Sequence, residues 1–138
     1  MLFNHVGIDS PVEMNTVTID GKRYYVTPEG NKYPSITTVI GSNAKKQAGL
    51  AKWRARVGKD KAQAKSTRSA TRGTRYHKLV EDYLNNILDK KKYHDMPLPW
   101  FMFNKSQKVL DRINNIYLQE AALYSDVLKL AGRVDCIA

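Results

Sequence analysis

The chain has 138 residues, 42% of them hydrophobic, and carries 23 lysines and arginines against 13 acidic residues, for a formal net charge of +10. This apolar content supports a folded core and excludes disorder over the whole length. No apolar run approaches the roughly 20 residues of a membrane helix. The single cysteine, Cys136, excludes an intrachain disulfide and a four-cysteine metal site.

The positive charge is concentrated in one segment. Residues 45–78 hold 12 basic residues and one acid, Asp60, whereas residues 1–44 hold 3 and 4 and residues 79–138 hold 8 and 8. Such a segment is either a solvated helical face or a surface that binds a polyanion, and the imbalance favours nucleic acid. The first five residues lack the basic and apolar regions of a secretion signal, so we expect an intracellular protein with no membrane partner.

The N-terminal third predicts short β elements. Residues 1–15 show little pattern and are expected to be a frayed lead-in. Residues 16–19 and 24–26 predict a β-hairpin, because Asp20-Gly21 is a common tight-turn pair. Residues 33–40 are rich in β-branched residues, and they predict either a strand or a short helix beginning at Ser35.

The middle of the chain predicts helices. The composition favours one helix over residues 44–57, ended by Gly58, and a second over residues 59–70. Arg72-Gly73-Thr74 then predicts a break, with Thr74 as the N-cap of an amphipathic helix that reaches Leu88.

The C-terminal part predicts a loop, a helix and two strands. Residues 89–98 are expected to form a polar loop, and Pro99 to begin a helix that extends to Gln119. The core face of this helix is expected to consist of Val109, Ile113, Ile116 and Tyr117. Residues 120–125 and 129–137 predict two strands joined near Asp126.

One histidine–carboxylate pair and one separate carboxylate are candidates for chemistry. His77 and Glu81, four residues apart, share one helix face and form either a cation-binding pair or a surface pair without a ligand. Asp135 is expected in a buried strand, where an ionised carboxylate needs a cation or hydrogen-bond donors, so structural and functional roles are both open. Gly132 would allow close approach of a backbone or a phosphate.

Other single residues carry weaker signals. Cys136 alternates with Asp135 and is expected to be a packed core thiol, and His5 and His94 are expected to be exposed. Trp53 lies among basic residues and is either a core anchor, the commoner role, or a platform for unpaired bases.

Five segments, taken in order, resemble one nuclease family. They are Tyr33-Pro34-Ser35-Ile36-Thr37-Thr38-Val39-Ile40; Leu50-Ala51-Lys52-Trp53-Arg54 with Gly58; Ala70-Thr71-Arg72-Gly73-Thr74-Arg75-Tyr76-His77-Lys78-Leu79-Val80-Glu81; Glu120; and Leu130-Ala131-Gly132-Arg133-Val134-Asp135. This set is similar to the RecB-like branch of the PD-(D/E)xK nucleases, near the phage exonucleases and the mitochondrial genome maintenance exonuclease. The resemblance covers roughly residues 33–137.

The resemblance implies an α/β fold of the PD-(D/E)xK type, in which an N-terminal hairpin and helices lead into a mixed sheet. Residues 1–32 would form the lead-in and the hairpin, and residues 33–138 the front part of the nuclease domain. It implies a metal-dependent exonuclease that hydrolyses single- or double-stranded DNA in the cytoplasm of a bacterial or phage-infected cell. His77 and Asp135 would bind Mg²⁺ or Mn²⁺, with Glu81 as a further catalytic residue. Residues expected to contact DNA are Lys45, Lys46, Lys52, Trp53, Arg54, Arg56, Lys61, Lys65, Arg68, Arg72 and Arg75.

The sequence departs from the family pattern after Asp135. The Asp/Glu-x-Lys motif that supplies a second acid and the catalytic lysine is expected on the next strand, and this sequence does not contain it. We therefore expect the front half of a nuclease core, inactive alone or completed by a partner chain or a second copy. The alternative is a module that binds nucleic acid without cleaving it.

Overall fold

The computed structural model describes residues 2–7 and 12–138, and it is a mixed α/β structure with 48% helix and 26% strand. The strands are β1 (Asn4–His5), β2 (Asn15–Ile19), β3 (Lys22–Val26), β4 (Lys32–Pro34), β5 (Asn115–Ile116), β6 (Leu118–Ser125) and β7 (Leu130–Ile137). The helices are α1 (Ile36–Gly41), α2 (Ala44–Val57), α3 (Lys59–Leu84), α4 (Lys90–Tyr93) and α5 (Pro97–Leu110).

The described chain separates into two compact units. The first, called here the helical unit, comprises residues 2–6 and 57–117 with Ala138, and it contains α3, α4, α5, β1 and β5. The second, called here the sheet unit, comprises Gly7 and residues 12–56 and 118–137. It contains β2–β4, α1, all of α2 but Val57, and the β6–β7 pair.

The described strands form three small sheets instead of one mixed sheet. β1 pairs with β5 in parallel, β2-β3-β4 form an antiparallel meander, and β6-β7 form an antiparallel ribbon. The mixed α/β class is confirmed, but these sheets do not by themselves make up the single sheet that the family resemblance implies.

The helical unit is held together by α3 packing against α5. Leu79, Tyr93 and Phe103 form its core, each at most 2% exposed. The ring of Tyr83 contacts Phe103 edge-on at 4.9 Å between centroids.

The N-terminal residues belong to this core, so the expected frayed lead-in is wrong for residues 3–5. Phe3 is 6% exposed, and the side chain of Asn86 accepts a hydrogen bond from its N–H and donates one to its carbonyl oxygen. Met1 and residues 8–11 lie outside the described residues. Local sequence pattern misses this ordering because its partners lie about 80 or more positions away in the chain.

The sheet unit confirms the predicted hairpin. β2 and β3 pair through the whole of both strands, and the turn residues Asp20 and Gly21 both have positive φ, 50° and 73°. Its core includes Tyr25, Tyr33, Ala122 and Ala131.

The ambiguous segment 33–40 contains both alternatives in succession. β4 ends at Pro34, and Ser35 then caps α1 by accepting a hydrogen bond from the Thr38 N–H.

The predicted bounds are confirmed for α2, which spans residues 44–57. The bounds predicted for the helices that follow α2 are not. The predicted break at residues 72–74 is wrong, because α3 is continuous from Lys59 to Leu84. A glycine in a helix interior costs only about 1 kcal/mol relative to alanine, and the flanking turns readily outweigh that cost.

The expected helix from Pro99 to Gln119 is also wrong at its C-terminal end, because α5 ends at Leu110. The residues that follow gain more from strand pairing: Ile116 pairs with His5 and is 1% exposed. Val109 is 64% exposed, so it does not face the core as predicted. The polar loop 89–98 contains one helical turn, α4, which is capped by Asp89.

Replacing Gly73 by alanine is expected to raise the free energy of unfolding by about 0.5–1 kcal/mol. Gly73 lies within α3, its φ is not positive, and an added Cβ meets nothing within 4 Å. Urea unfolding measures the change. The matched control is Gly58→Ala, which should be destabilising because Gly58 has a φ of +93°. A destabilised Gly73→Ala variant would contradict a continuous α3.

Candidate functional site

The continuity of α3 determines how its charged residues are distributed around the helix. Residues 61, 65, 68, 72 and 75 recur at spacings of four, three, four and three, so they form one stripe of basic side chains. All five are exposed. The next position of this stripe is Leu79, which is fully buried against α5. The stripe therefore changes from basic to apolar along one helix.

His77 and Glu81 lie on another side of α3. At about 100° per residue, His77 is rotated by about 200° from Arg75, and Glu81 follows one turn later on the same face. Both are partly buried. The arginine stripe and the histidine–carboxylate pair thus face in different directions, which the sequence reasoning did not distinguish because it treated residues 45–78 as one basic block.

Lys78 links the carboxylates of α3. Its Nζ lies 3.0 Å from Glu81 Oε1 and 3.1 Å from Asp82 Oδ1. These hydrogen bonds to Glu81 and Asp82 raise the pKa of Lys78 above its ordinary value. Lys78 therefore stays cationic beside Glu81 and partly neutralises it.

Asp82 is a buried carboxylate that sequence reasoning missed. It is 5% exposed, accepts a hydrogen bond of 2.5 Å from the Tyr93 hydroxyl, and lies 3.9 Å from Lys92 Nζ. Burial works to raise its pKa, but the Tyr93 hydrogen bond and the two lysines outweigh burial, and the pKa is lowered. Burial and the Asp82 contact raise the pKa of Tyr93 to about 12. This network joins α3 to α4 through Asp82, the residue that follows Glu81.

In the sheet unit, Glu120 and Asp135 lie at one level of the β6–β7 ribbon. The ladder pairs Gln119 with Cys136 and Ala121 with Val134, so positions 120 and 135 lie between these two pairs. Glu120 has a φ of +51°, a left-handed conformation that costs a non-glycine residue of order 1 kcal/mol. Arg133 lies 4.0 Å from Glu120 through Nη1. The ribbon therefore places the Glu120 and Asp135 positions at one level, with the Arg133 guanidinium beside Glu120.

Asp135 is exposed, so the expectation of a buried carboxylate is wrong. Successive side chains of a strand point to opposite faces, and residue 135 has the same outward orientation as the exposed Arg133. Cys136 points the other way and is partly buried. Burial, followed by the charge of Asp135, raises the pKa of its thiol. An exposed carboxylate is accessible to a cation without the desolvation cost of burial.

Gly132 allows a close contact, as the sequence suggested, but the neighbour is a side chain of its own unit. A Cβ added at Gly132 would lie 3.0 Å from Ile36 Cγ2. The contact joins α1 to β7, and Ser35, the N-cap residue of α1, forms an isolated bridge with Ala131 of β7. Gly132 thus serves packing in this unit.

The basic residues of α2 are exposed, as a solvated or nucleic-acid-binding face requires. They are Lys45, Lys46, Lys52, Arg54 and Arg56. α2 contains no buried residue, and Trp53 among them is partly buried, so it is neither a full core anchor nor a fully exposed platform. His94 is 88% exposed at its side chain, as expected, and the exposed His5 contacts the Leu84 carbonyl through Nε2 at 2.8 Å.

The donor set suits a hard divalent cation. Mg²⁺ and Mn²⁺ prefer carboxylate oxygens, and Mn²⁺ also accepts imidazole nitrogen. His77 with Glu81 on α3, and Glu120 with Asp135 on the ribbon, each offer two such donors from one rigid element. Each pair therefore fits part of the coordination shell of such an ion.

Comparisons with known proteins found no match: no family model, no curated protein and no solved structure is similar to this chain at a significant level. Within the part of the chain that the structure describes, no helix is both long and apolar enough to cross a membrane.

Proposed function

We propose that the protein is a metal-dependent nuclease of the RecB-like type that hydrolyses phosphodiester bonds in DNA. His77 and Asp135 act as metal ligands in this proposal, and Glu81 is a further catalytic residue that supports them. The observation that carries it is the pair formed by His77 and Glu81, partly buried one turn apart on an uninterrupted helix whose preceding turns are strongly basic.

The residues of the chain have separate tasks in this reaction. Mg²⁺ or Mn²⁺, when bound, activates a water molecule and neutralises charge that builds up on the phosphate. Lys78, held cationic by Glu81 and Asp82, limits the negative charge of the ligand group before the metal binds. Exposed lysines and arginines of α2 and α3 contact the DNA phosphates. DNA is the substrate in the cytoplasm of a bacterial or phage-infected cell, which is the proposed location.

Metal dependence tests the proposal. We expect release of labelled nucleotides from end-labelled single- or double-stranded DNA in Mn²⁺ or Mg²⁺, and none in EDTA. Return of activity when Mn²⁺ is added back to the EDTA-treated protein excludes damage by chelation. Ca²⁺, a hard cation that prefers more oxygen ligands and a looser geometry, should support binding of DNA but little cleavage.

The second candidate is a nucleic-acid-binding module without cleavage, and the arginine stripe favours it because that stripe lies on another side of α3 from His77. This function predicts binding that weakens steeply with salt and no nucleotide release with any metal. The nuclease proposal is wrong if DNA is bound but not cut and if it also stays uncut after a second chain that supplies an Asp/Glu-x-Lys strand is added.

A further inference from the structure

Three arginines of the α3 stripe border a cleft in the helical unit. Arg68, Arg72 and Arg75 line it together with Thr71, and its volume is about 330 Å³. The stripe follows one face of the helix, so the Cα atoms of the three arginines span about 10 Å along its axis. Among the described residues, none of the three forms an ion pair within 4.0 Å.

The opposite wall of the cleft is formed by the start of α5. It consists of Asp95, Met96, Pro97, Leu98 and Pro99, which is mostly apolar surface. Pro97 and Pro99 have fixed φ and lack an N–H, so this wall is rigid and offers few donors. Asp95 lies at its edge with its side chain 99% exposed, and its Oδ1 lies 3.8 Å from His94 Nδ1.

We propose that this cleft binds one nucleotide of a single-stranded nucleic acid. The phosphate lies on the three arginines, whose planar groups bind phosphate oxygens in pairs. The sugar and base lie against Met96 and the two prolines. A volume near 330 Å³ is at the lower end of small-ligand sites and admits an unpaired nucleotide but not a duplex.

The position of the cleft distinguishes it from the proposed metal ligands. It lies on the arginine face of α3. His77 follows Arg75 by two residues and is therefore rotated from it by about 200° around the helix axis. A nucleotide bound there anchors the strand without contacting His77 or Glu81. The inference rests on the proposed function for the identity of its occupant as nucleic acid, but it does not require that the chain cleaves DNA.

The test measures binding in EDTA, so that loss of catalysis and loss of the cleft are separable. Calorimetry compares thymidine monophosphate, thymidine and inorganic phosphate, and fluorescence anisotropy follows a short labelled oligothymidylate at several salt concentrations. The cleft variant carries Arg68→Gln, Arg72→Gln and Arg75→Gln. The matched control, Lys105→Gln with Lys108→Gln and Arg112→Gln, removes three exposed charges from the same unit away from the cleft.

We expect thymidine monophosphate to bind more tightly than phosphate and far more tightly than thymidine. The cleft variant should weaken its binding at least ~10-fold, whereas the control should change it less than ~2-fold. For the oligothymidylate, the dependence of log affinity on log salt should fall by about 1 in the cleft variant.

Four results would overturn the inference. Equal loss in both variants would mean that only net charge matters, and phosphate binding as tight as the nucleotide would mean a site for free phosphate. Binding of polyglutamate as tight as of oligothymidylate would indicate an acidic protein partner, and a duplex bound as tightly as the single strand would exclude a one-nucleotide cleft. Circular dichroism establishes that both triple variants are folded. Nucleotide binding in the cleft, together with no cleavage of DNA in Mn²⁺ even after a chain supplying the Asp/Glu-x-Lys strand is added, would contradict the nuclease proposal and leave the cleft intact.

Discussion

Replacing His77 by alanine or Asp135 by asparagine is expected to lower metal-dependent cleavage of end-labelled DNA by about 10²- to 10⁴-fold. Each change removes a proposed metal ligand. Groups that act as a unit in catalysis lose most of their effect when one of them is removed, so the double variant should be little slower than either single variant. Glu81→Gln should have a smaller effect, because in this proposal Glu81 supports the ligands without binding the ion. Initial rates at saturating Mn²⁺ measure these changes.

The controls for these variants are residues of the same type outside the proposed site. His94→Ala removes an imidazole whose side chain is 88% exposed, and Asp60→Asn removes an exposed carboxylate from the first turn of α3. Both should retain cleavage within about 2-fold. Retention of DNA binding by His77→Ala and Asp135→Asn, with loss of cleavage, separates the metal ligands from the basic surface. Cleavage that survives in both variants would remove His77 and Asp135 from the mechanism.

Replacing Asp82 by alanine is expected to lower the free energy of unfolding by about 3 kcal/mol near neutral pH. The change leaves the Tyr93 hydroxyl, in a side chain that is 2% exposed, without its acceptor, and it separates Lys78 and Lys92 from a carboxylate. Tyr93→Phe should cost about 1–3 kcal/mol, because Asp82 then loses its one buried donor among the described contacts. Urea unfolding followed by circular dichroism measures both values.

The pH dependence of the Asp82 effect has a definite sign. The folded-state pKa of Asp82 is lowered from its ordinary 3.8, so the ionised carboxylate favours the folded state. Its contribution is present above the ordinary pKa and is lost as pH falls through the lower folded-state value. The difference between the native chain and Asp82→Asn should therefore be large near about pH 7 and shrink below about pH 4.

The control for this network is Tyr76→Phe. The Tyr76 hydroxyl donates to Ser106 Oγ at 2.8 Å, a neutral and partly buried hydrogen bond, so its loss should cost about 1 kcal/mol or less without a pH dependence in this range. A Tyr93→Phe variant as stable as the Tyr76→Phe variant would mean that Asp82 is not stabilised by the phenol.

Local sequence pattern was informative where a few neighbouring residues determine the conformation. Asp20-Gly21 predicted the hairpin because the turn needs positive φ at both positions, and Gly58 predicted the boundary between α2 and α3 for the same reason. The β6–β7 ribbon was predicted from its alternating residues on both sides of Asp126. His77 and Glu81 were found in the same way, since a spacing of four residues defines a helix face.

The sequence by itself thus determined the basic character of residues 45–78, the hairpin, the helical composition of the middle and the candidate residues His77, Glu81 and Asp135. Tertiary structure decided the rest. Gly73 and Thr74 look like a break, yet flanking turns carry α3 through them, and only that continuity separates the arginine face from His77. The burial of Phe3 and Ile116 depends on partners distant in the chain, and those contacts outweigh local preferences of about 1 kcal/mol. The burial of Asp82 beside Tyr93 and the exposure of Asp135 were likewise visible only in the folded structure.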